Sequence, residues 1–112
     1  MTASTVNLER EELLKIAEQY RNQGYEVLFQ PSPEDLPDFL KNFRPDLLAR
    51  REKEAVIVEV KSHSSLDSSS ATYLSSLAQV IEQHSGWRFE LVMTNPEEAI
   101  DFSKAEELIH LI

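Results

Sequence analysis

The sequence contains no cysteine among its 112 residues. This absence excludes a disulfide framework, a cysteine-based zinc site and a thiol nucleophile. No apolar run approaches the roughly 18 residues of a membrane-spanning helix, and residues 1–12 contain no apolar segment typical of a secretory signal. We therefore expect a cytoplasmic protein that does not span a membrane. Its length fits one domain, 1–112, and exceeds the limit of about 40 residues below which disulfides or metals are usually needed.

Basic residues are also scarce, which bears on nucleic-acid binding. Eleven lysines and arginines stand against twenty aspartates and glutamates, so the formal net charge is −9. Proteins that bind DNA strongly by themselves usually present a basic patch, because contacts to phosphates supply most of the affinity. The nearest approach to such a patch is a group of four residues, Arg44, Arg50, Arg51 and Lys53. The charge balance therefore counts against strong independent DNA binding.

Two other kinds of site find no support in the sequence pattern. The three histidines, His63, His84 and His110, share no metal-ligand spacing. The serines between residues 62 and 76 match no Gly-x-Ser-x-Gly nucleophile motif and are typical of loops and helix caps. A histidine metal site and a serine nucleophile are therefore disfavoured.

The hydrophobic periodicity predicts an order of helices and strands. Helices are predicted over 8–22 and 71–83, and strands over 25–30, 43–50, 55–61 and 87–94, with 62–70 as a loop. Three prolines exclude regular structure over 31–37, a segment that Leu36, Phe39 and Leu40 are expected to hold against the core. Ser103 and Glu106 form a capping box for a last helix, 103–112, that docks on the sheet or begins a longer chain. The order α-β-β-β-α-β-(α) predicts an α/β protein with three layers and a mixed central sheet.

The strands over 43–50 and 55–61 carry the residues that point to chemistry. If the loop 51–54 closes a symmetric hairpin, Leu48 faces Ile57 and Asp46 faces Glu59, while the opposite face is uniformly apolar. A slip of one residue would turn the whole face over, so the apolar pattern supports this register. Carboxylates opposite each other have Cβ atoms about 4.5–5.5 Å apart and repel unless a positive charge lies between them. A divalent cation such as Mg²⁺ or Mn²⁺ is the natural occupant.

Lys61 lies two residues beyond Glu59 and therefore on the same face of the strand. Its ammonium group can polarise a water molecule or stabilise negative charge on a phosphate. A Glu-x-Lys on a strand is more often a solvated charge pair, but residues 56–60 are apolar on both faces, as in a central strand. Charges inside such a strand are uncommon unless they are paired or bind a metal. Together with Asp46, these residues predict metal-assisted attack of water on a phosphodiester.

The sequence RPDLLA at 44–49, followed by IVEVKS at 57–62, resembles the PD-(D/E)XK signature of the restriction-endonuclease-like nucleases. It is similar in particular to the archaeal Holliday-junction-resolvase-like branch, where a helix and a Gly-aromatic strand precede the motif, as at Gly24-Tyr25 here. The likeness covers about residues 8–94, the expected core of a restriction-endonuclease-like domain. It implies that Asp46, Glu59 and Lys61 are catalytic, and that Asp46 and Glu59 hold Mg²⁺ or Mn²⁺.

The same family often adds a glutamate from the first helix. Glu9 lies on the apolar stripe of helix 8–22, Glu12 lies on its flank and Glu18 points nearly opposite. We predict Glu12 as the additional catalytic residue, against the alternative that it is a solvated surface glutamate. Further residues are predicted to lie around the site or to contact the substrate: Gln79, Ser62, His63 and Arg44.

Two functions are consistent with these observations. The first is a Mg²⁺-dependent endonuclease that acts on DNA, in a complex whose protein partner supplies basic surface. Because the resolvases are dimeric, the resemblance also implies a homodimer. The second is a catalytically silent nuclease-fold module that binds or regulates a protein partner. The intact Asp46, Glu59 and Lys61 favour the first function, whereas the net charge of −9 favours the second.

Overall fold

The computed structural model describes residues 5–62 and 67–94. The elements along the chain are α1 (Thr5–Asn22), β1 (Glu26–Phe29), two short 3₁₀ helices (Pro33–Asp35 and Asp38–Leu40), β2 (Leu47–Arg51), β3 (Glu54–Ser62), α2 (Ser68–Glu82) and β4 (Trp87–Thr94). This order confirms the predicted α-β-β-β-α-β series, and the predicted last helix, 103–112, lies outside the described residues. Of the helices that the structure describes, none is both long and apolar enough to cross a bilayer.

The four strands form one sheet in the order β1-β2-β3-β4. The first three strands are antiparallel neighbours, whereas β4 is parallel to β3. A parallel neighbour requires a crossover, and α2 supplies it between β3 and β4. The predicted mixed sheet is therefore confirmed.

The two helices cover opposite faces of this sheet. Because side chains alternate along a strand, Val56 and Val58 of β3 pack in the core with α1, while Ile57 packs in the core with α2. The α1 core includes Ile16, Ala17, Tyr20, Leu47 and Ala49, and the α2 core includes Leu36, Leu40, Leu48, Leu77 and Ile81. This arrangement confirms the predicted three-layer α/β architecture.

Helix α2 begins earlier than its apolar pattern predicts. Residues 68–70 were predicted to belong to a loop, but they form the first turn of α2. Asp67 is the N-cap, and its Oδ1 accepts the backbone N–H of Ser70 at 2.8 Å. A capped N-terminus satisfies helix donors that would otherwise lack partners, which allows polar serines to occupy the first turn.

The proline-rich segment before β2 is more ordered than predicted. It forms the two 3₁₀ helices instead of lacking regular structure, with prolines at the positions where a missing backbone N–H is tolerated. Leu36 and Leu40 are buried in the α2 core, and the Phe39 ring stacks on His84 with centroids 3.5 Å apart. These contacts confirm that apolar side chains hold the segment against the core, so the chain enters β2 from a fixed direction.

Candidate functional site

The β2–β3 hairpin places two carboxyl groups side by side. Leu48 pairs with Ile57 and Leu47 pairs with Val58, which confirms the predicted register. The next step of this register brings Asp46, directly before β2, beside Glu59 of β3. The two carboxyl groups lie close enough for the charge of Asp46 to raise the pKa of Glu59. The alternation of apolar side chains therefore fixes the position of the acidic pair.

Backbone groups hold Asp46 from both neighbouring strands. Its Oδ2 accepts the backbone N–H of Val60 in β3 at 2.8 Å. Its carbonyl oxygen accepts the backbone N–H of Gln30, just after β1, also at 2.8 Å. Gln30 has a positive φ of 45°, a conformation that costs a non-glycine residue roughly 1–2 kcal/mol. The chain thus tolerates local strain at a contact that orients Asp46.

Glu59 is buried although its side chain is ionisable. Only 1% of the residue is exposed. Burial, followed by the negative charge of Asp46, raises the pKa of the Glu59 carboxyl from 4.5 to about 8. The positive charge of Lys61 and a hydrogen bond from Tyr73 act in the opposite direction. At neutral pH the Glu59 carboxyl group therefore retains its proton.

Tyr73 of α2 connects Glu59 to the segment before β2. Its hydroxyl donates to Oε2 of Glu59 at 3.0 Å and accepts the backbone N–H of Arg44 at 2.9 Å. Burial and the negative charge of Glu59 raise the pKa of the Tyr73 hydroxyl, so the hydroxyl stays protonated and acts as a donor. Tyr73 is not among the site residues predicted from the sequence. Its position four residues before Leu77, on the apolar side of α2, was the available signal.

The other residues predicted for the site differ in burial and in their position relative to this pair. Lys61 is half-buried on the same strand, and Ser62 after it is buried. Arg44 is exposed and contributes its backbone N–H to Tyr73. Gln79 is exposed on α2, six residues beyond Tyr73 and therefore on a different side of that helix. The remaining residue, His63, lies outside the described residues.

A cleft of about 490 Å³ lies beside Asp46, between α1 and the end of β1. Glu9 and Arg10 of α1 line it, whereas Glu12, the predicted additional residue, is half-buried and does not. The remaining lining residues are Leu13, Leu14, Phe29, Gln30, Asp46 and Val60. Glu59 and Lys61, both among the described residues, do not line the cleft. The opening thus reaches one of the two paired carboxyl groups.

The described part of the chain offers a limited set of metal ligands. Within residues 5–62 and 67–94, no three His, Cys, Asp or Glu side chains cluster closely enough to hold a metal ion. The acidic pair itself consists of hard oxygen donors. Magnesium is commonly bound by one or two carboxylates, with waters and substrate phosphates completing its coordination. The pair therefore matches the donor chemistry of Mg²⁺ or Mn²⁺.

The family comparison agrees with this geometry. A family model described as AHJR-like, REase_AHJR-like, matches residues 1–111. The chain belongs to this restriction-endonuclease-like family. The match spans both helices and all four strands of the described structure, including the hairpin that carries the acidic pair. A search of the curated proteins finds no match to the chain.

This restriction-endonuclease-like chain has its basic residues dispersed. Arg50 pairs with Glu26 at 3.1 Å, and Arg51 pairs with Glu54 at 3.3 Å. They lie at the hairpin turn, about 15 Å from the Asp46 end of β2 by the rise of an extended strand. Of the four basic residues grouped in the sequence, Arg44 alone lies near that end. The four basic residues grouped in the sequence therefore do not form one patch beside the acidic pair.

Proposed function

We propose that the chain is a metal-dependent phosphodiester hydrolase that acts on DNA. The observation that carries this proposal is the side-by-side placement of Asp46 and Glu59, with Glu59 buried and the positive charge of Lys61 close enough to act on it. Membership of the restriction-endonuclease-like family supports the reaction class. Two carboxyl groups in contact inside a sheet are costly to maintain for stability alone. A cation that replaces the proton of Glu59 would explain their placement.

Asp46 and Glu59 would hold Mg²⁺ or Mn²⁺. Binding requires both carboxyl groups to be ionised, so a cation competes with the proton that Glu59 retains because its pKa is raised. The cation, when bound, acts as a Lewis acid on the phosphodiester and lowers the pKa of a water molecule. Asp46 already faces the cleft, which gives a substrate access to one ligand of the pair.

Lys61 and Arg10 supply the positive charge that the reaction needs. The Lys61 ammonium stabilises negative charge on the phosphate and orients the attacking water. Arg10 lines the cleft with Asp46 and provides a contact for a phosphate group of the substrate. Glu9 shares that cleft, which makes it a stronger candidate than Glu12 for an additional acidic group from α1.

The acidic composition indicates that DNA binding by the isolated chain is weak. The net charge of −9 opposes a polyanion, and Arg50 and Arg51 are engaged in ion pairs. We therefore include in the proposal a protein partner, or a second copy of the chain, that adds contact surface for the substrate. The affinity would then depend steeply on salt concentration in the complex.

A second function is favoured by one observation. The cleft reaches Asp46 but not Glu59 or Lys61, which are among the described residues. A restriction-endonuclease-like module that is catalytically silent and binds a protein partner needs no opening in front of all three side chains. In such a module the acidic pair would keep its proton and would not exchange it for a cation.

Calorimetric titration with Mg²⁺ and Mn²⁺ distinguishes these functions, with nicking of supercoiled and branched DNA followed in the same buffer. We expect wild type to bind the metal at millimolar or lower concentration and to nick DNA. Asp46→Asn should lose both properties, since it removes one charged ligand. Glu26→Gln serves as the matched control, because the Glu26 carboxylate is exposed and lies at the other end of the sheet. A wild type that neither binds metal nor nicks DNA would support the silent module.

A further inference from the structure

The Tyr73 hydroxyl lies at a junction between three parts of the fold. It belongs to α2, donates to Oε2 of Glu59 in β3 at 3.0 Å, and accepts the backbone N–H of Arg44 at 2.9 Å. Arg44 precedes Asp46 by two residues in the chain. A single hydroxyl therefore links the two ends of the segment that contains both members of the acidic pair.

Apolar contacts also hold the ring of Tyr73. The ring contacts Phe43, with centroids 5.7 Å apart, and belongs to the apolar surface packed on the α2 core. Leu77 and Ile81, one and two turns further along α2, are buried and fix the helix against the sheet. Removing the hydroxyl alone should therefore leave the ring and α2 in place.

The hydroxyl restricts the orientation of the Glu59 carboxyl group. This group accepts the hydrogen bond of Tyr73 and feels the charge of the neighbouring Asp46, while it is buried from solvent. Groups that hydrogen-bond a metal-binding carboxylate orient it and strengthen its affinity, and their loss typically weakens metal binding by about 10–100-fold. An alternative role for Tyr73 is to close the site, in which case its removal would strengthen metal binding.

We propose that Tyr73 is a positioning residue, whose hydroxyl holds the Glu59 carboxylate in the orientation needed to bind a divalent cation together with Asp46. This inference rests on the proposed metal-dependent function. Tyr73 acts through Glu59, so its contribution concerns metal affinity and not contact with the substrate. The backbone N–H of Arg44 in turn orients the Tyr73 hydroxyl. It donates to a lone pair of the hydroxyl oxygen, and the hydroxyl proton is then directed to Glu59.

The test compares Tyr73→Phe with Tyr25→Phe. Tyr25 is the matched control because its hydroxyl also donates to a carboxylate, Oε1 of Glu54 at 2.7 Å, at the hairpin turn. Each variant loses one hydroxyl, so comparable decreases in thermal midpoint are expected. Calorimetry with Mn²⁺ should show a dissociation constant about tenfold weaker for Tyr73→Phe, and one within about twofold of wild type for Tyr25→Phe.

A second readout separates positioning from general destabilisation. We expect the Mn²⁺ concentration for half-maximal DNA nicking to rise about tenfold in Tyr73→Phe, while the rate at saturating Mn²⁺ stays within about threefold of wild type. A purely structural role would lower the rate at every metal concentration. Equal Mn²⁺ affinities of Tyr73→Phe and wild type, or tighter binding by the variant, would overturn the role of Tyr73 alone. A wild type without Mn²⁺ affinity would overturn the proposed function and this inference together.

Discussion

Oδ2 of Asp46 accepts the backbone N–H of Val60 at 2.8 Å, from the strand that also carries Glu59. Val60 is buried, with 2% exposed, so water does not readily replace this bond. One oxygen of Asp46 thus has a structural partner, while the charge of the carboxyl group acts on Glu59. The charge of Asp46 therefore contributes to metal affinity, and its capacity to accept a hydrogen bond contributes to stability. Substitutions can separate these two contributions.

Asp46→Asn should preserve the fold, whereas Asp46→Ala should weaken it. The asparagine amide oxygen can still accept the Val60 N–H, and the substitution removes a negative charge beside Glu59. Alanine leaves the buried N–H without this acceptor, a loss that costs about 1–3 kcal/mol. Urea unfolding should show this difference in the free energy of unfolding, although both variants lose metal affinity. Equal stability of the two variants would show that the hydrogen bond from Val60 to Asp46 does not stabilise the fold.

The stability of the protein should fall as pH rises through the range where Glu59 ionises. The pKa of this carboxyl group is about 8 in the folded protein, against the ordinary value of 4.5 for a glutamate side chain exposed to water. Between these values the folded chain holds a proton that the unfolded chain has released, so the free energy of unfolding decreases with pH. The contribution of Glu59 is fully present below pH 4.5 and is lost as pH passes about 8.

Glu59→Gln measures this contribution. The variant should gain stability relative to wild type as pH rises, by up to a few kcal/mol, since one pKa unit corresponds to about 1.4 kcal/mol. Urea unfolding in metal-free buffer across the range checks the difference. Glu54→Gln is the control, because a hydrogen bond from Tyr25 lowers the pKa of Glu54 and gives its contribution the opposite dependence on pH. A difference between Glu59→Gln and wild type that does not change with pH would show that Glu59 has the same pKa in the folded and the unfolded protein.

The hairpin could be predicted from the sequence because its two strands are neighbours in the chain and their apolar pattern specifies how they pair. A strict alternation of apolar residues on both strands permits one register, which brings Asp46 beside Glu59. The contact of Tyr73 with Glu59 depends instead on how α2 lies across the sheet, and helix packing of this kind is set by side chains from several elements. Predicting the sheet order therefore did not predict the third residue of the contact.

Two other differences between expectation and structure have similar causes. The rotation of α1 about its axis decides whether Glu9 or Glu12 faces the cleft. The apolar stripe, which includes Glu9 and has Glu12 on its flank, does not specify that rotation. Arg44 is close to Arg50 and Arg51 in the sequence but not in space, because the extended strand β2 separates them along its length. Proximity in sequence indicates proximity in space only where the chain turns.

Glu9→Gln and Glu12→Gln should differ in their effect on the proposed reaction. Glu9 lines the cleft beside Asp46, so removing its charge should lower the rate of DNA nicking by about tenfold or more, in the range of a positioned acid or base. Glu12 does not line the cleft, and its substitution should leave the rate within about twofold. Nicking assays at saturating Mn²⁺, with thermal midpoints measured in parallel, check both. A larger loss in Glu12→Gln would restore the residue predicted from the sequence.

Lys61→Met should separate catalysis from metal binding. Methionine preserves most of the aliphatic length of lysine, so β3 should keep its packing, but the charge that stabilises the phosphate is lost. Removing one such electrostatic contact typically lowers a rate by about 100–1,000-fold. The Lys61 charge also opposes the raised pKa of Glu59, so Mn²⁺ binding at neutral pH should weaken modestly and not disappear.

The control for Lys61 is Lys53→Met, in the exposed turn between β2 and β3. Both variants change the net charge by the same amount, which removes a general electrostatic effect on DNA binding from the comparison. Nicking rates at saturating Mn²⁺ and calorimetric Mn²⁺ affinities, measured on all three proteins, give the result. Equal rates in Lys61→Met and Lys53→Met would remove Lys61 from the proposed mechanism. A loss of rate confined to Lys61→Met, with Mn²⁺ still bound, would assign charge stabilisation to this lysine and metal binding to the acidic pair.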